Sequence, residues 1–247
     1  MKNKALVVGG SNGIGLAMVG LLAEEYEQVV VVDKTPPFFA LPDNAVFCQF
    51  DLTYDDYSLF DAHLDSSLVF VSAGFGRLSL FEDIKEEDIS LYFGVNTIPV
   101  MRLAKKFYHK LLSTTEDFYF GVMVSIAGFI SSPFFSVYGA TKAALKIFIE
   151  SVNVELEKSE SVNRILNISP GAVKGTKFDG AEQQDLSDAR CLAEEILKNL
   201  YCKNDLFIPK YEEIFRNVLE RYHADFRAEG RHSYDYKVQS GRVKFKQ

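Results

Sequence analysis

Ala5-Leu6-Val7-Val8-Gly9-Gly10-Ser11-Asn12-Gly13-Ile14-Gly15-Leu16 decides how the rest of the chain reads. A short apolar run stops at a glycine-rich turn, after which Leu16, Val19 and Leu22 recur at helical spacing, so the segment reads as strand, turn and helix. The glycines have separate tasks: one permits the tight turn, one lets a pyrophosphate approach the backbone, and one lets the helix pack close to the strand. The helix N-terminus then presents unpaired N–H groups and the positive end of its dipole, which suit a phosphate.

Working outward, Gln28–Val32 is a second apolar strand that ends at Asp33, within the window of about 20 residues expected after such a turn. A carboxylate there can accept hydrogen bonds from adenosine ribose hydroxyls and repel a 2′-phosphate, which argues for NAD over NADP. The adjacent Lys34 could compensate a phosphate, so NADP stays possible. A third strand over Ala45–Phe50 leads into Asp51-Leu52-Thr53 and a predicted helix from Asp55 to His63. Ser67–Val71 is a fourth strand ending in Ser72-Ala73-Gly74. Glu86–Lys110 carries helical periodicity and contains Asn96, with Pro99 placed to bend it. Phe118–Ser125 and Val162–Ile168 are further strands, the latter ending in Ser169-Pro170-Gly171-Ala172-Val173. Ser187–Leu200 is another helix and Leu206–Ile208 a short seventh strand. Strands alternating with helices predict an α/β, Rossmann-type doubly wound fold with about seven parallel strands and helices on both faces. Ligands of such sheets bind at the carboxyl ends of the strands.

A second stretch carries chemistry. Ser125 precedes an aromatic loop, and Tyr138 and Lys142 follow on one helix face, about one turn apart. An ammonium beneath a phenol favours the phenolate, so the tyrosine can exchange a proton with a substrate hydroxyl, while Ser125 can hydrogen-bond the substrate oxygen. A Tyr-x-x-x-Lys spacing arises about once by chance in a chain of this composition, so its meaning depends on the nucleotide site and the serine in correct order.

With 247 residues and 47% hydrophobic content the chain can build a sizeable core, read as one domain over 1–247. A net charge of −7 argues against nucleic acid as a partner. Lys2-Asn3-Lys4 runs straight into a short strand, and no run of some 18 apolar residues follows, so a soluble, cytoplasmic protein without membrane contact is expected. Cys48, Cys191 and Cys202 show no metal-like spacing, and the four histidines are scattered; no metal site is expected.

In these motifs the chain resembles the short-chain dehydrogenase/reductase family over roughly Ala5 to Ile208. Gly9, Gly13 and Gly15 match its glycine motif, Asp51 its adenine-contacting position, and Asn96, Ser125, Tyr138 and Lys142 its catalytic tetrad. Pro170-Gly171 matches its turn beside the nicotinamide. With Ser11, Asn12, Ile14, Asp33, Leu52, Ala73, Gly74 and Val173, and with Tyr138 and Lys142 shared, these form the candidate cofactor surface. The resemblance implies that Tyr138 acts as general acid or base, that Ser125 polarises the carbonyl, and that Lys142 lowers the tyrosine pKa and holds the nicotinamide ribose. It further implies that Asn96 holds a relay water, and that the partners are a small alcohol or ketone and further copies of the chain, a dimer or tetramer paired through helices near 96–110 and 138–157. Four features depart from the family pattern. Val71-Ser72 stands where two asparagines are usual, and Val8 replaces a threonine that ties the turn to the fourth strand. Lys174-Gly175 delays Thr176, and a long basic tail replaces a glycine-rich finish.

Phe129, Ile130, Pro133, Phe134 and Phe135 form either an apolar substrate wall or packing for a neighbouring segment. The tail from 223 to 247 carries six Lys and Arg against three carboxylates. It reads either as solvated chain or as a segment that Tyr234 and Tyr236 dock over the active site or on an acidic neighbouring subunit. The leading expectation is an NAD(P)-dependent oxidoreductase. The alternative, prompted by the lost asparagines and the tail, is a nucleotide sensor or scaffold without turnover.

Overall fold

The computed structural model describes residues 2–54, 56–173 and 186–243. Seven parallel strands are ordered β3-β2-β1-β4-β5-β6-β7: β1 (Lys2–Val8), β2 (Tyr26–Asp33), β3 (Ala45–Gln49), β4 (Leu68–Val71), β5 (Tyr119–Met123), β6 (Ile165–Ile168) and β7 (Leu206–Phe207). The sequence order reverses between β1 and β4, whose paired residues run from Ala5 opposite Leu68 to Val8 opposite Val71. That reversal opens a crevice at the carboxyl edge, where doubly wound sheets take their ligands.

The two-residue side-chain period of the strands builds two cores. Leu6, Val8, Val30, Val32, Val69 and Val71 face one way and pack on α3 (Ile98–Lys106) and α5 (Ser136–Lys158) through Leu103, Leu145 and Ile149. Ala5, Val7, Val29, Val31, Leu68 and Phe70 face the other way and pack on α1 (Gly13–Glu25) and α6 (Ser187–Tyr201) through Met18, Leu22 and Ile196. Every strand residue in these sets is at most 2% exposed, because a parallel sheet covered on both faces has no solvated side.

Two predicted elements take another form. The helix expected over 55–63 is a tight 3-10 turn over Ser58–His63, since Tyr57 and Phe60, three residues apart, must both enter the core. The single helix expected over 86–110 is three: α2 (Glu86–Asn96), α3 and α4 (Tyr108–Leu111). Pro99 lacks the N–H that would continue the ladder, and the break falls at Thr97, whose hydroxyl bonds the Thr141 carbonyl instead (3.1 Å). The tail forms a π-turn over Tyr211–Phe215, then α7 (Arg216–Ala224) and α8 (Phe226–Gln239). Asp225 caps α8 by accepting from the N–H groups of Arg227 and Ala228. Among the described residues no helix is long and apolar enough to cross a membrane.

Candidate active site

The carboxyl edge of the sheet opens into a cavity of about 900 Å³. Gly9, Asn12, Gly13, Ile14 and Gly15 line it from the first turn, Asp33, Asp51 and Leu52 from the ends of β2 and β3, and Ala73 and Gly74 from the end of β4. Ser125, Tyr138 and Lys142 lie on the same cavity, as do Pro170, Gly171 and Val173. The Lys174-Gly175-Thr176 stretch lies outside the described residues.

Ser11 and Asn96 stand behind the surface, each almost fully buried. Ser11 gives its N–H to Asp33 (3.1 Å) and its hydroxyl to the Thr35 carbonyl (2.6 Å), so it fixes the rim of the adenosine end. The Asn96 amide accepts from the Phe75 N–H (2.9 Å) and donates to the Phe75 carbonyl (2.9 Å) and the Thr141 hydroxyl (3.2 Å). With both ends of its side chain engaged, Asn96 clamps the loop after β4 at Phe75, next to Gly74.

The first turn fits a dinucleotide. Gly9 adopts φ +88°, and a Cβ there would lie 2.3 Å from the Ala73 nitrogen. A Cβ on Gly15 would lie 2.0 Å from the Gly9 carbonyl oxygen. Only hydrogen in both places lets α1 start this close to β1 and β4, and no acidic side chain in its first turn opposes an anion. The link lost at Val8 is rebuilt from the other side: the Ser72 hydroxyl donates to the Gly9 carbonyl (2.8 Å), and the Ser72 and Ala73 N–H groups donate to the Val8 carbonyl. The serine that stands in an asparagine position therefore supplies the tie between turn and fourth strand.

At the adenosine end, the Asp33 carboxylate is steadied by the N–H groups of Ser11 and Thr35. Lys34 turns away to Asp51 (2.7 Å). Partial burial pushes the Asp51 carboxyl up, but the bonds from Lys34 and Thr53 prevail and hold it below the ordinary carboxylate range.

At the other end, Ser125 follows β5 and accepts from the Ala127 N–H (3.1 Å). Tyr138 and Lys142 come from the first two turns of α5, with the Lys142 nitrogen 5.7 Å from the centre of the Tyr138 ring. Both are enclosed, at 6% and 3% exposure. Burial pushes the Tyr138 phenol up to about 12, with a hydrogen bond to Ser125 pulling the other way. Burial also pushes Lys142 down to about 7, and its ammonium donates to the Met123 carbonyl (2.8 Å). Burial sets the direction of the tyrosine's shift: both charged forms are desolvated together, and a lysine titrating near neutrality offers only part of a charge.

That burial has a consequence for stability. An unfolded lysine titrates near 10.5 and the folded one near 7, so between these values the unfolded chain holds a proton that the folded chain has lost. Stability must therefore rise with pH across that window. Lys142→Met, which keeps the length without the charge, is expected to stabilise the cofactor-free protein at pH 7 by about 1–2 kcal/mol and to flatten its stability gain towards pH 9. Thermal melts of both proteins at the two pH values test this; equal pH slopes would refute it.

The far wall of the cavity comes from the tail. Phe134, at φ +69°, meets the Tyr234 ring at 4.6 Å, and Lys237 of α8 donates to the Ser132 hydroxyl and the Pro133 carbonyl, both 2.8 Å. The Phe215 ring sits where a Cβ on Gly171 would strike it at 2.8 Å, which closes the tail over the turn after β6. Phe135 and Ile130 line the cavity, while Tyr234 anchors the tail and Tyr236 borders the opening. Sequence reading singled out the tail tyrosines but missed Phe215, Arg221, Glu229 and Lys237, which also line the cavity. The available signal was helical spacing in the tail, where Ser233 and Lys237, four apart, share a face.

Among the described residues no cluster of His, Cys, Asp or Glu is arranged to hold a metal. A family model described as short chain dehydrogenase matches residues 3–187. An uncharacterized oxidoreductase of Saccharomyces cerevisiae is 23% identical over 188 residues, 70% of this chain and 61% of that protein. A probable short-chain type dehydrogenase/reductase of Helicobacter pylori is 26% identical over 195 residues, 73% of this chain and 70% of that one. The match thus spans about six tenths of the length of the first relative. Among solved structures, a short chain dehydrogenase from Burkholderia cenocepacia in complex with NADP gives a TM-score of 0.77 at 18% identity, over 94% of this chain and 97% of that one. A short chain dehydrogenase/reductase from Burkholderia phymatum in complex with NAD gives 0.77 at 17%, over 92% and 95%. At these identities the structural likeness is one of fold.

Proposed function

This chain belongs to the short chain dehydrogenase family, and on that premise we propose that it interconverts a secondary alcohol and its ketone with NAD(H). The observation that carries the reading is one cavity lined by the glycine turn at one end and by Ser125, Tyr138 and Lys142 at the other. The nicotinamide, when bound, supplies or accepts the hydride. Tyr138, protonated at neutral pH because its burial disfavours the phenolate, gives its proton to the ketone oxygen. Ser125 donates to the same oxygen and keeps it near the phenol. Lys142, at the base of the cavity, would hold the ribose hydroxyls. The glycine turn and the N-terminus of α1 would hold the pyrophosphate.

Asp33 at the rim and Lys34 engaged by Asp51 support NAD(H) over NADP(H), since the nearest ammonium already has a carboxylate partner. Exposed Ile98, Ile147 and Val154 on α3 and α5 support a homodimer or homotetramer paired through those helices. Two features favour turnover over the binding-only reading: the Ser72 hydroxyl ties the turn to the fourth strand, and the described part of the tail lines the cavity.

The chain has no tryptophan, so calorimetry is the direct test of cofactor choice. NADH is expected to bind at least about tenfold tighter than NADPH, a difference of about 1.4 kcal/mol. Tighter NADPH would overturn the assignment to Asp33, and binding of neither would overturn the oxidoreductase reading.

A further inference from the structure

The tail brings an unusual cation to the cavity. Lys237 is 6% exposed, yet its three hydrogen-bond partners are neutral oxygens: the Ser132 hydroxyl, the Pro133 carbonyl and the Ser233 hydroxyl (3.1 Å). Among the described residues no carboxylate contacts this ammonium, and a buried charge without a counter-charge is costly. Its surroundings add positive charge. Arg221 and Arg242 also line this end, and Glu229, the carboxylate of this wall among the described residues, is held by Arg221 at 2.6 and 3.2 Å. Burial first, and Arg242 second, push the Lys237 ammonium down to about 8.

The hydrogen-bond directions point the same way. Ser132 and Ser233 accept from Lys237, and each keeps its own hydroxyl proton to give to an acceptor in the cavity. One ammonium and two hydroxyls so arranged match a group with two acceptor oxygens and one negative charge. The position relates this group to the chemistry. The Phe135 ring lies 5.1 Å from the Tyr138 ring and 5.5 Å from the Lys237 nitrogen, so one aromatic ring separates the phenol from the ammonium. Ile130, Ile214, Phe215 and Val218 supply apolar surface around them.

We propose that Lys237, with Ser132 and Ser233, forms a carboxylate-binding subsite, and that the substrate is an oxo or hydroxy carboxylic acid with an apolar body, its carboxylate a few bonds from the reacting carbon. The subsite deepens the alcohol–ketone reading above and rests on it for the word substrate. The carboxylate takes no part in bond making; it sets which carbon faces Tyr138.

The test titrates 3-benzoylpropionate and its neutral counterpart butyrophenone by calorimetry into the protein with saturating NAD⁺, where the ketone cannot be reduced. The acid is expected to bind at least about tenfold tighter than the ketone, and Lys237→Gln, which keeps a donor for Ser132 and Pro133, is expected to erase that preference. Arg242→Gln is expected to lower the affinity for the acid severalfold. An NADH titration of each variant checks that the site is folded. Equal binding of acid and ketone by the natural protein, a preference that survives in Lys237→Gln, or binding of neither would overturn the subsite. Turnover of butyrophenone without any acid preference would sink the subsite and leave the oxidoreductase reading standing. Lys237-dependent binding of the acid with no hydride transfer to any ketone from NADH or NADPH would do the reverse.

Discussion

Tyr138→Phe is expected to lower the rate of ketone reduction by about a thousandfold while changing NADH affinity less than twofold. The substitution removes one oxygen. The ring stays in its apolar cluster with Phe135, Tyr92 and Val137, so neither the fold nor the adjacent wall has reason to move. What is lost is the phenol that shares this enclosure with Ser125, the proton donor of the proposed reaction. The pH dependence gives a second signature. With the phenol pushed up to about 12, the acid form dominates at neutral pH, so reduction should hold its rate through neutrality while alcohol oxidation, which needs the phenolate, should climb as the solution becomes alkaline. Steady-state assays in both directions, with calorimetry of the variant, check both parts. Undiminished turnover in Tyr138→Phe would remove the tyrosine from the chemistry.

Gly9→Ala should be strongly damaging, because the added methyl meets backbone on every side and the backbone there is left-handed. A Cβ there would sit 2.3 Å from the Ala73 nitrogen, 2.6 Å from the Ala73 Cα and 2.9 Å from the Ser72 carbonyl carbon, all backbone atoms of a central strand end. The backbone at φ +88° adds a conformation that alanine resists. The turn can relieve the clash only by parting from β4, which breaks the Ser72 and Ala73 bonds to β1 and its turn. A loss of about 3 kcal/mol or more is expected, with NADH binding falling below detection. Gly20→Ala in α1 is the control: its Cβ would meet nothing within 4 Å, so the same chemical change should be neutral or stabilise by up to about 1 kcal/mol. Denaturant melts and calorimetry of the two variants distinguish them. If both behave alike, close packing of the first turn is not what Gly9 provides.

The sequence by itself determined the sheet and the two ends of its crevice. Runs such as Val29–Val32 are apolar at every position, as suits a strand covered on both faces, and the glycine spacing suits a strand pressed against a helix start. Ser125, Tyr138 and Lys142 were legible because one strand end and one helix turn fix their separation locally. Tertiary structure decided the rest, and the reason is that those properties belong to neighbours distant in sequence. Asn96 bonds Phe75 and Thr141, 21 and 45 residues away, so its place behind the cavity could not be read from its own helix. The direction of the Tyr138 and Lys142 shifts depended on how completely packing would exclude water from both, and spacing carries no measure of burial. Ser72 looked like a loss until its hydroxyl was found on the Gly9 carbonyl, 63 residues back. Lys237 was one charge among several in a basic tail, and it became a buried ammonium facing a cavity only when α8 folded back 105 residues to reach Ser132.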